Sequence, residues 1–196
     1  MILLCIVTIF SKSTTANADD RYVKLCERYF TEFAEDYGKF GQKDGFTYLY
    51  SDKKNTATIV AIPMEQKKVA VPEKINGKTV TKIELMDVFS CSSNYYFRDE
   101  FYGEHEDNPV PKVEYLSIPK TVKVINIYAG IGLTEGYCGE LQSYLVHLKK
   151  FNVASANKWY RSYKGMLYTK NGKKLLLVPR KYMAKTVKVK KGTTKI

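Results

Sequence analysis

The sequence predicts a β-rich, mixed α/β fold in which short strands stack into a solenoid with inserted hairpins, preceded by an N-terminal helix. An aromatic stripe with helical spacing lies near the start of the chain, and alternating apolar and polar residues follow it. Further along, one short apolar motif recurs, which is typical of stacked repeats. The 44% hydrophobic content of the 196 residues is sufficient for a packed core.

Residues 1–18 are predicted to be a signal peptide. Residues 2–10 form an apolar run that is too short to span a bilayer, and Ala16, Asn17 and Ala18 follow as a small-x-small cleavage pattern. No basic residue precedes the apolar run, so a buried strand is the alternative interpretation. Cleavage after Ala18 predicts a secreted or cell-surface protein whose mature chain does not span a membrane.

Residues 19–41 are predicted to form the N-terminal helix. Asp19 or Asp20 can cap its first turn, and Gly38 and Gly41 are expected to end it. Large apolar side chains recur at intervals of three and four residues, namely Tyr22, Cys26, Tyr29, Phe30, Phe33 and Tyr37. Such a stripe is typical of a helix face that packs against the rest of a domain.

Two hairpins are predicted from pairs of strand-like apolar segments joined by turn residues, and the segments of the first alternate between apolar and polar residues. The first spans residues 46–62 and turns at residues 51–55. The second spans residues 165–178 and turns at Asn171 and Gly172. Asn-Gly is the preferred pair where both residues of a turn need a positive φ.

A short strand motif recurs three times after the first hairpin. It begins at Val69, Leu116 and Val187, carries two alternating apolar residues, and ends in Pro or Lys. A second apolar signal follows each copy, at residues 80–83, 122–125 and 193–196. One further strand is predicted at residues 151–153. The copies predict strands that stack on one another and share an apolar core.

The repeated units resemble the BspA-like leucine-rich repeats of bacterial surface proteins. In that family a strand ending in Ile-Pro is followed by Val-x-x-Ile and then by Ala-Phe-x-x-Cys. Residues 116–119 and 122–125 match the first two elements, and residues 88–91 match the third in part. The chain is also similar to the family's variant repeat with an inserted hairpin, at Asn157, Tyr160, Ser162, residues 165–168, Leu175, Leu176 and Pro179.

This resemblance covers roughly residues 46–196 and implies a leucine-rich-repeat-like domain there. The 71 residues from Ile125 to Ile196 are close to three units of about 20–29 residues each. Residues 92–111 depart from the family pattern as an insertion. The chain stops at Ile196, halfway through a repeat, so a domain truncated at its C-terminus is expected. The family also implies attachment to host or neighbouring-cell surfaces without catalysis.

Basic residues exceed acidic ones along the chain. Thirty-two Lys and Arg against twenty Asp and Glu give a net charge of +12, which favours acidic partners. The lysines form scattered doublets that are more typical of a solvated surface, so no specific nucleic-acid partner is predicted. Signal-peptide cleavage leaves Cys26, Cys91 and Cys138, whose odd number and wide spacing predict neither a disulfide framework nor a metal site. Whether two of them pair stays open.

No catalytic, cofactor-binding or metal-binding residue is predicted. The chain has two histidines, His105 in an acidic loop at residues 99–107 and His147 in a helical apolar pattern at residues 141–148. A catalytic triad therefore has few ways to form. The acidic loop matches no calcium-binding pattern and is interpreted as solvated. These features predict a protein that is not an enzyme and uses no cofactor.

Alternation along the repeat strands predicts one binding surface. If the apolar pairs beginning at Val69, Leu116, Phe151 and Val187 point inward, their neighbours face outward on the sheet. These neighbours are Lys68, Ala70, Tyr115, Ser117, Lys150, Asn152, Thr186, Lys188 and Lys190. Stacked strands would align them as a basic stripe with a tyrosine, on the surface that solenoids use for partners. The alternative is that the lysines only protect sheet edges and keep the protein soluble.

Together these features predict a secreted or cell-surface protein-binding module for adhesion or recognition, without catalytic activity. The expected partner is a protein or an acidic glycan on host or neighbouring-cell surfaces. The alternative is a targeting or scaffold repeat domain of a larger secreted enzyme or cell-wall-associated protein. A third hypothesis, polyanion binding through charge alone, predicts binding that collapses at moderate salt and ignores ligand shape.

Overall fold

The computed structural model describes residues 39–85, 110–126 and 145–196. The predicted signal peptide, all but the last three residues of the predicted 19–41 helix and the acidic loop at residues 99–107 lie outside the described residues. The three mature-chain cysteines Cys26, Cys91 and Cys138 also lie outside them. Residues 39–41, at the end of the predicted helix, belong to a strand.

The described residues form twelve strands and no helix, so the predicted mixed α/β class is wrong for this part of the chain. In chain order the strands are β1 (Lys39–Lys43), β2 (Phe46–Ser51), β3 (Thr56–Ala61), β4 (Lys68–Ala70), β5 (Lys74–Ile75), β6 (Lys78–Ile83), β7 (Tyr115–Ile118), β8 (Val124–Ile125), β9 (Lys150–Val153), β10 (Tyr160–Tyr163), β11 (Met166–Thr169) and β12 (Leu175–Leu177). The pattern at residues 141–148 was predicted to be helical. Its described part, residues 145–148, is a turn closed by a hydrogen bond from Leu148 N to Leu145 O at 3.0 Å.

The largest sheet has the order β1-β2-β3-β6-β5. Strands β1, β2 and β3 run antiparallel, which confirms the hairpin predicted at residues 46–62. Strand β6 lies parallel to β3 and pairs with both β5 and β8, the latter also in parallel. Asp44 and Gly45 connect β1 to β2 with φ values of 53° and 78°. Positive φ at both residues gives the turn that matches the twist of a two-residue hairpin.

A second sheet contains β4, β7 and β9 in parallel. Strands β4 and β7 belong to the first two predicted repeat copies, and β9 is the further strand predicted at residues 151–153. Val69, Leu116 and Phe151 lie opposite one another in register. These three residues are buried and belong to the same core cluster as the inward residues of the first sheet, such as Val80 and Ile83. The inward positions predicted for these three strands are therefore confirmed, with Val153 only partly buried.

The third sheet, β10-β11-β12, is antiparallel and contains the second predicted hairpin, β11–β12. In the turn of this hairpin only Gly172 has a positive φ, 72°, so it is not the tight Asn-Gly turn that the sequence indicates. The tight turn of this sheet connects β10 to β11 through Lys164 and Gly165, with φ values of 51° and 85°. Leu167 and Leu177 pack this sheet onto the common core.

Parallel stacking ends at β9, and the predicted regular leucine-rich-repeat-like solenoid is therefore wrong. The amide of Phe151 donates to Gly165 O at 2.8 Å, and that of Val153 donates to Ser162 Oγ at 3.4 Å. The β10–β11 hairpin thus occupies the edge of β9 on which a fourth parallel strand would have to pair. Val187 and Val189, predicted to point inward in that strand, are 48% and 39% exposed and lie in no strand.

Asn157 joins the loop before β10 to the preceding repeat unit. Its side chain is fully buried, and its Nδ2 donates to Pro119 O at 2.8 Å and to Val122 O at 3.0 Å. Its Oδ1 accepts from the amides of Trp159 at 2.9 Å and Tyr160 at 2.8 Å. The carboxamide therefore uses two donors and two acceptor positions within the protein.

Asp52 connects three parts of the first sheet at its surface. Its Oδ1 accepts from Lys78 Nζ of β6 at 2.7 Å, and its Oδ2 accepts from Lys39 Nζ of β1 at 2.9 Å. The hydrogen bond from Lys78, followed by that from Lys39, lowers the pKa of Asp52 from 3.8 to about 2. The same contact with Asp52 raises the pKa of Lys39.

Because the pKa of Asp52 is lower in the folded protein than in the unfolded chain, its ion pairs contribute stability above about pH 4. This contribution is expected to disappear as the pH falls towards 2. Titration of the Asp52 carboxyl carbon by NMR should give a pKa near 2, and the Lys78→Ala variant should return it towards 3.8. Lys53→Ala is the matched control and should leave the pKa unchanged. An unaltered pKa in Lys78→Ala would contradict this assignment.

Candidate functional site

The outward surface of the parallel sheet forms the candidate site. Strand register places Lys68, Tyr115 and Lys150 in one row, and Ala70, Ser117 and Asn152 in a second row. These six residues are called the β4–β7–β9 face. They alternate with the buried residues of the same strands, because successive side chains of a strand point to opposite sides of the sheet. The structure thus brings together six of the nine predicted site residues.

The remaining three predicted residues, Thr186, Lys188 and Lys190, do not join this face. They follow the third sheet in an irregular segment, where the amide of Lys190 donates to Tyr168 Oη at 3.1 Å. The physical reason is the covered edge of β9, which leaves no position for a fourth parallel strand. The prediction that these three residues continue the stripe is wrong in its geometry.

Two depressions meet at Tyr115. The first has a volume of about 490 Å³ and is lined by Lys68, Val69, Ala70, Tyr115, Ser117 and Asn152. The second has a volume of about 360 Å³ and is lined by Tyr115, Lys149, Lys150, Lys164, Tyr182, Met183 and Ala184. The half-buried phenol of Tyr115 therefore contributes to both, as a ring with an apolar body and a polar hydroxyl.

Lys164 and Tyr182 extend the face beyond the residues that sequence reasoning identified. Lys164 lies in the tight turn between β10 and β11, where the preceding strand is folded against β9. A Cβ on the neighbouring Gly165 would lie 3.0 Å from Cγ of Lys150, so the turn contacts the basic row closely. The Lys-Gly pair at residues 164–165 was an available turn signal, but nothing in the sequence indicated that this turn packs beside Lys150.

Glu114 forms ion pairs with two lysines adjacent to the row of Lys68, Tyr115 and Lys150. Its carboxylate accepts from Lys149 Nζ at 2.7 Å and lies 3.8 Å from Lys67 Nζ. The hydrogen bond from Lys149 lowers the pKa of Glu114, and the same contact raises the pKa of Lys149. Within the described ranges, Lys68 and Lys150 form no ion pair. Two uncompensated ammonium groups therefore flank Tyr115.

This arrangement can bind acidic groups, and it lacks the features of a metal centre. Within residues 39–85, 110–126 and 145–196, no group of three or more His, Cys, Asp or Glu could hold a metal ion. His147 is exposed in the turn at residues 145–148. In the described part of the chain, no helix is long and apolar enough to cross a bilayer.

No protein-family model matches the chain, and no curated protein matches it. Among solved structures, a leucine-rich repeat protein from Eubacterium ventriosum is similar to it, with 21% identity and a TM-score of 0.38. That similarity covers 64% of this chain and 24% of the other protein. The pneumococcal vaccine antigen PcpA is 16% identical with a TM-score of 0.30, over 80% of this chain and 60% of the antigen. Similarities at this level do not assign the chain to a family, and the BspA-like resemblance stays a prediction.

Proposed function

We propose that the chain is a secreted or cell-surface protein-binding module that recognises an acidic segment of a partner protein through the β4–β7–β9 face. The observation that carries the proposal is the row of Lys68, Tyr115 and Lys150 across three strands in register. These two ammonium groups have no ion-pair partner among the described residues, and with a tyrosine between them they are complementary to carboxylates that accompany apolar side chains. The signal-peptide pattern at residues 1–18 supports the secreted location.

The chemistry of this face favours a protein over a small substrate. Tyrosine supplies a large contact area with few rotatable bonds, and small polar residues such as Ser117 and Asn152 supply adaptable hydrogen bonds. The depression of about 490 Å³ is lined by residues of all three strands, which suits an extended segment that crosses them. Binding energy in such interfaces is concentrated in a few residues, of which tyrosine is among the most frequent. We therefore assign the central contact to Tyr115 and the charge selection to Lys68 and Lys150.

The full chain is expected to bind selectively among matrix proteins and mucins at physiological salt. Lys68→Ala combined with Lys150→Ala should weaken that binding by about tenfold, because each lysine faces a carboxylate of the partner. Tyr115→Ala should cause a larger loss, about 2 kcal/mol or roughly thirtyfold, as expected for a central contact. Surface plasmon resonance at two salt concentrations measures both effects.

Lys53→Ala combined with Lys54→Ala provides the matched control. Both lysines are exposed in the turn between β2 and β3, and the double change alters the net charge by the same amount. Binding should be unchanged in this control. Equal losses in the two double variants would overturn the proposal, as would binding that follows only the charge of the ligand and vanishes at physiological salt.

A further inference from the structure

Positive charge is unevenly distributed along the chain. Residues 1–140 carry 17 basic and 20 acidic side chains, whereas residues 141–196 carry 15 basic and no acidic side chains. The net charge of +12 therefore originates entirely in the last 56 residues. A field of one sign over so short a segment attracts polyanions and repels the segment's own parts.

The fold gathers many of these charges at the turn between β11 and β12. Lys174 pairs with Lys195 in a parallel bridge, and the amide of Thr194 donates to Lys173 O at 2.8 Å. Lys190 lies against Gly172, where a Cβ would be 2.9 Å from its Cε. We call this region the basic edge, and it comprises Lys170, Lys173, Lys174, Lys190, Lys191 and Lys195.

The basic edge is uncompensated within the described residues, since none of its six lysines forms an ion pair with a carboxylate. All of them are exposed except Lys190, which is half-buried. Like charges directly opposite each other, as in the isolated bridge between Lys174 and Lys195, destabilise that pairing. A bound polyanion would remove this repulsion.

A depression of about 330 Å³ adjoins the basic edge and shares Lys170 with it. Its lining residues are Val153, Ala154, Ser155, Arg161, Ser162 and Lys170. The amide of Lys170 donates to Trp159 O at 2.7 Å, and its Nζ donates to Ser155 O at 2.7 Å, which fixes the lysine at the rim. Arg161 lies opposite Tyr168 in register on the edge strand β10.

The polar groups of this depression are suited to bind a sulfate or phosphate ester. A guanidinium presents a planar fork of donors, and an ammonium adds a second positive charge. The hydroxyls of Ser155 and Ser162 can donate to further oxygens. Sulfate and phosphate groups carry three terminal oxygens of the kind that such donors bind. No acidic side chain lies among the lining residues.

We propose that the depression at Arg161 and Lys170, together with the basic edge, binds a sulfated or phosphorylated polysaccharide. One ester group occupies the depression, and successive esters along the polymer contact the basic edge. This site is separate from the β4–β7–β9 face and takes a different class of ligand, so it goes beyond the proposed protein-binding function.

The surrounding aromatic rings favour a polysaccharide over a nucleic acid. Single-stranded nucleic acids need aromatic faces on which bases stack. The ring of Trp159 has Lys123 Nζ 5.6 Å from its centroid, and the ring of Tyr163 has Lys164 Nζ at the same distance. Lysines thus already cover one face of each ring beside the site. The basic edge consists of lysines, which bind anions as point charges rather than through the bidentate contacts that read bases.

The test compares binding of the full chain to dextran sulfate, dextran phosphate, neutral dextran and a DNA duplex. Arg161→Gln combined with Lys170→Gln should weaken binding to the ester-bearing dextran by about tenfold. The slope of log K against log salt concentration should become shallower by the equivalent of about two ionic contacts. The matched control, Lys53→Gln with Lys54→Gln, removes equal charge from the first sheet and should change binding less than about twofold. Thermal unfolding checks that each variant is folded.

Comparison of dextran sulfate with dextran phosphate shows which ester the site prefers, since the dextran that carries the preferred ester should bind more tightly at physiological salt. Lys68→Ala with Lys150→Ala should retain dextran binding, which separates this site from the protein-binding face. Three outcomes would overturn the proposal: equal losses in the Gln double variants, tighter binding to DNA than to either esterified dextran, or equal binding to neutral dextran.

Discussion

Asn157→Asp is expected to lower the free energy of unfolding by about 3–5 kcal/mol at pH 7. The substitution replaces Nδ2, which donates to Pro119 O and Val122 O, with a carboxylate oxygen. Two carbonyl oxygens then face a negative charge in a fully buried position, and both lose their donor. The other carboxylate oxygen can still accept the hydrogen bonds from the amides of Trp159 and Tyr160. The loss of stability therefore arises from the two hydrogen bonds that Nδ2 donates in the native protein.

The pH dependence of Asn157→Asp provides a second measurement. Burial opposes ionisation of the new carboxyl group, so its pKa is expected to rise above the value in the unfolded chain. An acid whose pKa is raised in the folded state favours folding most at low pH, where it is protonated. Its contribution to the free energy of unfolding decreases as the pH rises. Urea unfolding should therefore show a smaller deficit at pH 4 than at pH 7.

Asn152→Asp is the matched control for this prediction. Asn152 is half-buried on the β4–β7–β9 face, and the same change there should alter stability by less than about 0.5 kcal/mol. Similar losses in the two variants would show that Asn157 does not hold the repeat units together. A deficit that grows on acidification would contradict the assigned donor role.

Phe151→Ala should lower the free energy of unfolding by about 3–5 kcal/mol. Phe151 is 1% exposed in the middle of β9, in register with Leu116, which is 2% exposed. Removing the ring leaves a cavity in the common core, to which Phe151, Leu116 and Leu167 belong. Phe151→Leu should cost less than about 2 kcal/mol, because most of the volume is retained.

Val187→Ala is the informative comparison for Phe151→Ala. The repeat pattern places Val187 at the position equivalent to Val69 and Leu116, whereas the structure leaves it 48% exposed. Thermal unfolding should therefore show a change within about 0.5 kcal/mol for Val187→Ala. A loss of several kcal/mol there would indicate that a fourth inward strand exists.

Sequence periodicity could predict two kinds of strand. The first kind pairs with its neighbour along the chain, and the second kind has one buried apolar side and one outward polar side. The hairpin at residues 46–62 is of the first kind, and strands β4, β7 and β9 are of the second. Alternation decides which residues are buried, so Lys68, Tyr115 and Lys150 could be placed on one face without coordinates. The strand β1 was missed although Asp44 and Gly45 are a strong hairpin signal.

Pattern alone could not predict where stacking stops. The motif at residues 187–190 has the same alternation as the copy at residues 69–72, yet a strand also needs an unoccupied edge to pair with. That edge is taken by Ser162 and Gly165, whose contacts with β9 depend on how the β10–β11 hairpin folds back. The depression at Arg161 was missed for the same reason, since Val153 of β9 and the loop after it create it together with Arg161, Ser162 and Lys170.

The hairpin that covers β9 also has a consequence for how molecules of this protein meet one another. An exposed strand edge offers unpaired amides and carbonyls to any strand that approaches it, which is a common route to aggregation. On the β9 side those amides are already bound, by Gly165 O for Phe151 and by Ser162 Oγ for Val153. The parallel sheet is therefore closed to intermolecular growth from that side, in the way that a terminal cap protects a repeat array.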